Sequence, residues 1–235
     1  MEIELKVFRF LPEKDNSPHF DVFNIEVDPA DRILDVLEQV RGYHDGTLAF
    51  RRSCAHGVCG SDAMRINGRN ALACKVLVRD LHSTKITLEP LLGLKVVKDL
   101  MVDMDPFFDG YAALSPYLVQ EEPPMVEKEQ LQTPQERERF DDATRCILCA
   151  ACTTSCPVFW ADGSYIGPAV FVNAHRFVFD SRDQGAAGRF KALNAKNGIW
   201  RCRTVYNCTE ACPRGIQVTR LIAELRRAML SGKID

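Results

Sequence analysis

The sequence has no uncharged run long enough to cross a bilayer. The longest, Cys146 to Ala161, has 16 residues, four of them cysteines, and is broken by Pro157, whereas a spanning helix needs about 20 apolar residues. It also lacks a charge excess. A formal net charge of −2 and a pI near 6.2 exclude nucleic-acid binding through bulk basicity. No G-x-G-x-x-G segment is present, so no dinucleotide-binding βαβ unit for a flavin or nicotinamide is expected. The five histidines, at 19, 44, 56, 82 and 175, show no metal-ligand spacing among themselves. Met1-Glu-Ile-Glu-Leu-Lys runs directly into an alternating pattern, so no signal or transit segment is expected there. What the sequence does have is ten cysteines. Without an export signal, these point to a reducing compartment and to metal ligation rather than disulfides.

The two halves differ in pattern. Ile3, Leu5 and Val7 alternate, as do Phe23, Ile25 and Val27, which reads as a hairpin. From Asp31, Ile33, Val36, Leu37 and Val40 follow helical spacing, with Gly42 expected to close the helix. Further strands are expected at Leu48–Phe50, at Met64–Ile66 before an Asn67-Gly68 turn, at Leu72–Val78 and at Ile86–Leu88. A small mixed sheet with one crossing helix is therefore expected over residues 1–105. Beyond it the pattern is helical. Glu121-Glu-Pro-Pro124 reads as a linker, and Thr133-Pro134-Gln135-Glu136 as a capping-box helix start. Val218, Leu221, Ile222, Leu225 and Met229 form one helical face ending at Gly232. The fold class is α+β, with domains expected at 1–105 and 106–235.

The cysteines form three groups. Cys54-x4-Cys59-x2-Asp62-x11-Cys74 matches the plant-type [2Fe–2S] spacing, with Asp62 where the third cysteine would stand. A carboxylate oxygen is an acceptable iron ligand. The alternatives are that Asp62 caps a turn while Ser61, Ser53 or solvent completes the site. Zinc fits poorly, because its knuckles favour C-x2-C pairs.

The second group, Cys146-x2-Cys149-x2-Cys152-x3-Cys156-Pro157, is the bacterial ferredoxin run. The third, Cys202-x2-Val205-x2-Cys208-x3-Cys212-Pro213, repeats it with valine at the second cysteine position. In paired runs the last cysteine serves the other cluster. Crossing the assignments gives Cys146, Cys149, Cys152 and Cys212 for a [4Fe–4S] cluster. Cys156, Cys202 and Cys208 remain for a site with one corner missing. Val205 offers no ligand there, so [3Fe–4S] is expected; a [4Fe–4S] cluster with solvent on an open iron is the alternative.

The motifs Arg51-Arg-Ser-Cys-Ala-His-Gly-Val-Cys-Gly-Ser-Asp62, Cys146 to Trp160, Ile166-Gly-Pro168, Ser181-Arg-Asp183 and Cys202 to Pro213 resemble the iron–sulfur subunits of succinate dehydrogenase. Fumarate reductase iron–sulfur subunits share the plan. The resemblance runs over nearly the whole chain. It implies a β-grasp [2Fe–2S] domain, an α-helical two-cluster domain and an electron-transfer role. The implied partners are a succinate-oxidising flavoprotein carrying FAD and a transmembrane anchor that can hold haem, with quinone as acceptor. The implied place is the cytoplasmic face of the inner membrane. The positions matching the family's quinone pocket are Pro157, Trp160 and Val205, with Arg203 and Arg226 as nearby cations. The sequence departs from better-known members in having Ala161 where many carry a second tryptophan. It has Arg203 where histidine is common and Arg226 where lysine is frequent. Two readings compete with succinate oxidation: a quinol:fumarate reductase subunit and a freely soluble multi-cluster ferredoxin.

Overall fold

The computed structural model describes residues 1–120 and 129–232. The expected linker at Glu121–Pro124 lies outside them. The chain divides into two compact units, one of Met1–Met104 with Ile147–Ser155, the other of Asp105–Cys146 with Cys156–Asp235.

The first unit is built on β1 (Glu2–Arg9) and β2 (His19–Glu26), the expected hairpin, paired antiparallel with Leu5 opposite Phe23. Alternation places Ile3, Leu5 and Val7 inward. Helix α1 (Ile33–Tyr43) covers that face with Ile33, Leu34, Val36, Leu37 and Val40, each contributing roughly 1.5–3 kcal/mol by leaving water. Gly42 does not close this helix. It lies inside the last turn, and the end is set by the His44 N–H donating to the Val40 carbonyl at 2.9 Å. Strands β3 (Ala63–Ile66), β4 (Arg69–Leu72) and β5 (Lys85–Glu89) complete a sheet in the order β2-β1-β5-β3-β4, with β1 and β5 parallel. The β3–β4 turn uses Asn67 and Gly68 at φ 46° and 80°, as a two-residue primed hairpin requires. A further small pair follows, β6 (Val96–Lys98) and β7 (Met101–Val102).

Two expected strands are absent. Leu48 and Phe50 are buried, but their backbone joins no named strand. Asp99 takes the Ala49 N–H at 2.9 Å, and the Leu100 N–H donates to the Ala49 carbonyl at 3.2 Å. The Leu72–Val78 stretch is strand only to Leu72. The Asp62 carbonyl accepts the Ala73 N–H at 3.1 Å and the chain turns, so Cys74 sits in a turn rather than on a strand.

In the second unit, α2 (Asp105–Ala112) precedes α3 (Pro134–Thr144). The capping box is formed as expected: Glu136 N–H donates to Thr133 Oγ1 at 3.2 Å, and Thr133 N–H donates to Glu136 Oε2 at 2.7 Å. The one-turn helix α4 (Ala151–Thr154) belongs to the first unit, where Asn70 Nδ2 donates to Thr154 Oγ1 at 2.8 Å. The second unit resumes with α5 (Pro157–Ala161), α6 (Pro168–Val178), α7 (Ala186–Leu193), α8 (Asn207–Glu210) and α9 (Val218–Ser231). Helix α6 is apolar nearly all round and buried, as a central helix should be. Helix α9 buries Val218, Leu221, Ile222 and Leu225 and ends at Gly232 in the left-handed conformation, φ 68°.

Candidate metal centres

The loop from Cys54 to Gly60 carries left-handed backbone at Ala55, Gly57 and Gly60, with φ of 59°, 80° and 71°. These inversions turn successive amides inward. The N–H groups of His56, Val58 and Cys59 reach Cys54 Sγ at 3.4, 3.5 and 3.3 Å. Those amides lower the Cys54 thiol to about 6, which makes it a ready thiolate. Cys59 Sγ accepts the Cys54 amide at 3.5 Å and lies 3.2 Å from Ser61 Oγ. Cys74 is the opposite case: burial, reinforced by Asp62, pushes its thiol up to about 12. A metal must displace that proton to bind there.

Asp62 is 2% exposed, and its two oxygens are treated differently. Oδ2 accepts the Cys74 N–H at 2.5 Å, whereas Oδ1 is buried without a partner. Such an acceptor, aligned with a cysteine loop, fits a cationic partner. The donor set Cys54, Cys59, Asp62 and Cys74 therefore fits a binuclear iron–sulfur cluster. Among the described residues no three His, Cys, Asp or Glu side chains converge on a single metal ion. Cluster ligands bond to different irons and need not meet at one point. None of the ten cysteines is in a disulfide.

The two ferredoxin runs share one backbone path. Leu148 and Ala150 flank Cys149 with φ of 55° and 61°, and Thr204 and Tyr206 flank Val205 with φ of 57° and 64°. Ala150 and Tyr206 each then start a single helical turn, closed by Thr154 N–H to the Ala150 carbonyl at 2.9 Å and Glu210 N–H to the Tyr206 carbonyl at 3.2 Å. Val205 thus occupies a backbone frame shaped like that of a cysteine, and the residue is 45% exposed.

Within the first unit, Cys149 packs directly against the binuclear loop. A Cβ on Gly60 would stand 2.7 Å from the Cys149 Cβ and 3.1 Å from its Cα. In the second unit, Cys146 Sγ accepts from Asn173 Nδ2 at 3.6 Å, and Cys212 acts electrostatically on Arg145. Cys156 and Cys208 are buried, which raises both thiols. Cys208 Sγ lies 3.6 Å from Thr219 Oγ1, itself 2.8 Å from Thr209 Oγ1. Cys202 is held through its carbonyl, which accepts from Arg226 Nη2 at 2.7 Å; the same nitrogen reaches the Ile199 carbonyl at 3.0 Å. Tyr165 faces this group. Burial, then the charges of Cys202, Cys156 and Cys208, drive its phenol upward, so it stays protonated.

The quinone candidates divide by exposure. Trp160, at 48%, Arg203 and Val205 are open to solvent, and Pro157 is half-buried. Arg226 is also half-buried, with its guanidinium committed to two carbonyls. Sequence reasoning named Ser61 as an alternative ligand but missed Tyr165, Asn173 and Thr219. Only Tyr165 had a signal, since it directly precedes the Ile166-Gly-Pro168 motif.

Two family models match the chain. A 2Fe-2S iron-sulfur cluster binding domain covers residues 4–109, and a 4Fe-4S dicluster domain covers 142–216. The succinate dehydrogenase iron-sulfur subunit of Coxiella burnetii is 40% identical over 229 residues, 95% of each chain. The chain belongs to the family of succinate dehydrogenase iron–sulfur subunits. Another family member, the mitochondrial succinate dehydrogenase [ubiquinone] iron-sulfur subunit of Candida glabrata, is 39% identical over 227 residues, 95% of this chain and 90% of that one. The fold is shared with a chain of the Mycobacterium smegmatis Sdh1 complex in the apo form, with a TM-score of 0.87 at 22% identity over 100% of this chain and 98% of that one. As an iron–sulfur subunit of this family, the chain is part of an oxidoreductase and carries an N-terminal 2Fe-2S domain followed by a 4Fe-4S domain. Among its described residues no helix is long and apolar enough to cross a membrane.

Proposed function

We propose that the chain is the electron-transfer subunit of a succinate:quinone oxidoreductase. The observation that carries this reading is family membership over 95% of the chain, together with ten cysteines in three cluster-type groups. Its domains are 1–105 and 106–235. Cys54, Cys59, Asp62 and Cys74 would hold [2Fe–2S]; Cys146, Cys149, Cys152 and Cys212 would hold [4Fe–4S]; Cys156, Cys202 and Cys208 would hold [3Fe–4S].

Bound in this order, the clusters supply a one-electron relay from the FAD of a flavoprotein subunit towards quinone at a membrane anchor. The chain's own residues bury Cys74, Cys152, Cys156 and Cys208 and set the charge around the cysteines. The Cys54 amide cage favours thiolate, Asp62 supplies a hard anionic ligand, and Arg226 fixes the Cys202 backbone. Pro157, Trp160, Arg203 and Val205 would border the quinone, with the Trp160 indole N–H able to donate to a quinone oxygen. The subunit would then lie peripherally on the cytoplasmic face of the membrane.

The test is purification in mild detergent with its native partners, followed by succinate-dependent quinone reduction and electron paramagnetic resonance (EPR). The expected result is a complex with flavoprotein and anchor, a binuclear signal on reduction and a trinuclear signal when oxidised. A single soluble species without partners would overturn the reading. Quinol-driven fumarate reduction far exceeding succinate oxidation would reassign the working direction.

A further inference from the structure

Among the described residues four buried side-chain polar atoms have no hydrogen-bond partner: Asp62 Oδ1, Tyr165 Oη, His175 Nδ1 and Arg226 Nε. Native interiors rarely leave such atoms orphaned, and each one needs an explanation. Tyr165 is 1% exposed and cannot turn to water. Its ring packs against Phe171, tilted by 55°, with centroids 5.7 Å apart. Its backbone is pinned on both sides, by its own N–H to the Asp162 carbonyl at 3.0 Å and by the Ile166 N–H to the Asn197 carbonyl at 3.2 Å. The charged groups acting on its hydroxyl include Cys202, Cys156, Cys208 and Arg226. Arginine carries no acceptor. Among these groups the three sulfurs are the acceptors on offer to the O–H.

We propose that the Tyr165 hydroxyl donates a hydrogen bond to sulfur of the trinuclear cluster held by Cys156, Cys202 and Cys208, and raises that cluster's reduction potential. The inference rests on the cluster assignment proposed above. Reduction by one electron adds negative charge to the cluster, spread over its sulfurs. A donor aimed at those sulfurs stabilises the reduced state more than the oxidised one. An ordinary phenol is in its donor form at neutral pH, and the packing of this ring against Phe171 limits its rearrangement when the electron arrives. Phenylalanine would fill the same space without the donor.

The experiment is a redox titration of the full complex, wild type and Tyr165→Phe, followed by the oxidised trinuclear EPR signal. The expected result is a lower midpoint for that cluster in the variant, about tenfold in the reduction equilibrium, or ~59 mV for one electron. The other two clusters should keep their midpoints and the complex its melting temperature, which a merely structural role for the hydroxyl would not predict. An unchanged trinuclear midpoint overturns the proposal, and equal shifts in all three clusters do so as well. No oxidised trinuclear signal in the wild type would instead overturn the cluster assignment. Should Tyr165→Phe fail to hold the cluster, Tyr165→His keeps a ring N–H donor at this position. Recovery of the signal in that variant supports the proposal, and its absence in both variants overturns it.

Discussion

Asp62 gives one carboxylate oxygen to the Cys74 amide, at 2.5 Å, and leaves the other buried and unpartnered beside the cysteine loop. The turn-capping role and the ligand role are thus not alternatives, because each has its own oxygen. Asp62→Ala is expected to abolish the reduced binuclear EPR signal and lower the iron content. Asp62→Cys should retain the cluster with an altered midpoint. A normal binuclear signal in Asp62→Ala would move the fourth ligand elsewhere, with Ser61 Oγ, 3.2 Å from Cys59 Sγ, the nearest substitute.

Val205 stands in a frame whose flanking dihedrals match those around Cys149. A thiolate there needs no new backbone. Val205→Cys is therefore expected to convert the trinuclear cluster to [4Fe–4S], removing the oxidised trinuclear signal while the fold is kept. Persistence of that signal at full intensity in the variant would count against the assignment.

Asp183 and Arg189 form a buried pair, with side chains 0% and 2% exposed. Asp183 also accepts the amides of Val119 at 3.0 Å and Gly185 at 2.7 Å, while Arg189 donates to the carbonyls of Leu114, Ser115 and Tyr117. One guanidinium thereby ties three otherwise irregular positions to α7. Arg189→Met leaves a carboxylate buried without its cation, at a cost of roughly 3–5 kcal/mol. The measurement is urea unfolding of the full chain. A loss below about 1 kcal/mol would show that water replaces the arginine.

His175 is wholly buried, and burial lowers it from 6.5 to about 4 although Glu224 accepts from its Nε2 at 2.8 Å. The neutral ring, with Nδ1 as the unpartnered acceptor, accounts for that orphaned atom. In the unfolded chain the imidazole takes a proton below about 6.5, whereas the folded chain refuses it until about 4. The unfolded state binds more protons across that window, so stability falls as pH drops from 6.5 towards 4, by ~3 kcal/mol in total. Glu224 acts in the same sense lower down: against its own burial, hydrogen bonds from His175 and Arg139 hold it below the usual carboxylate range. His175→Gln should flatten the upper part of this dependence in pH-resolved denaturation. An unchanged slope would place the titrating group elsewhere.

Much of the fold was legible because its signals are local. Alternation in β1 and β2, the Asn67-Gly68 turn, the Thr133 capping box and the apolar face of α9 each depend on neighbours in sequence. The failures share one cause. Leu48–Phe50 reads as a strand by pattern, but Asp99, fifty residues beyond Ala49, takes its amide. Cys74 leaves the strand because Asp62 supplies a competing acceptor from twelve residues away. Cysteine spacing was enough to point to the 2Fe-2S and 4Fe-4S domains that the family models match, because such spacing is a local signal. Asn173 and Thr219 were hidden because what makes them matter is which cysteine the tertiary fold brings to them.

Gly60 has a consequence of a different kind. Its missing side chain is what allows the loop of Cys59 to lie against Cys149, for even a methyl group would come within 2.7 Å of the Cys149 Cβ. Any larger residue at position 60 would have to part the two loops, since no side chain stands between their backbones there. Glycine is thus a spacer of zero thickness between two cysteine loops.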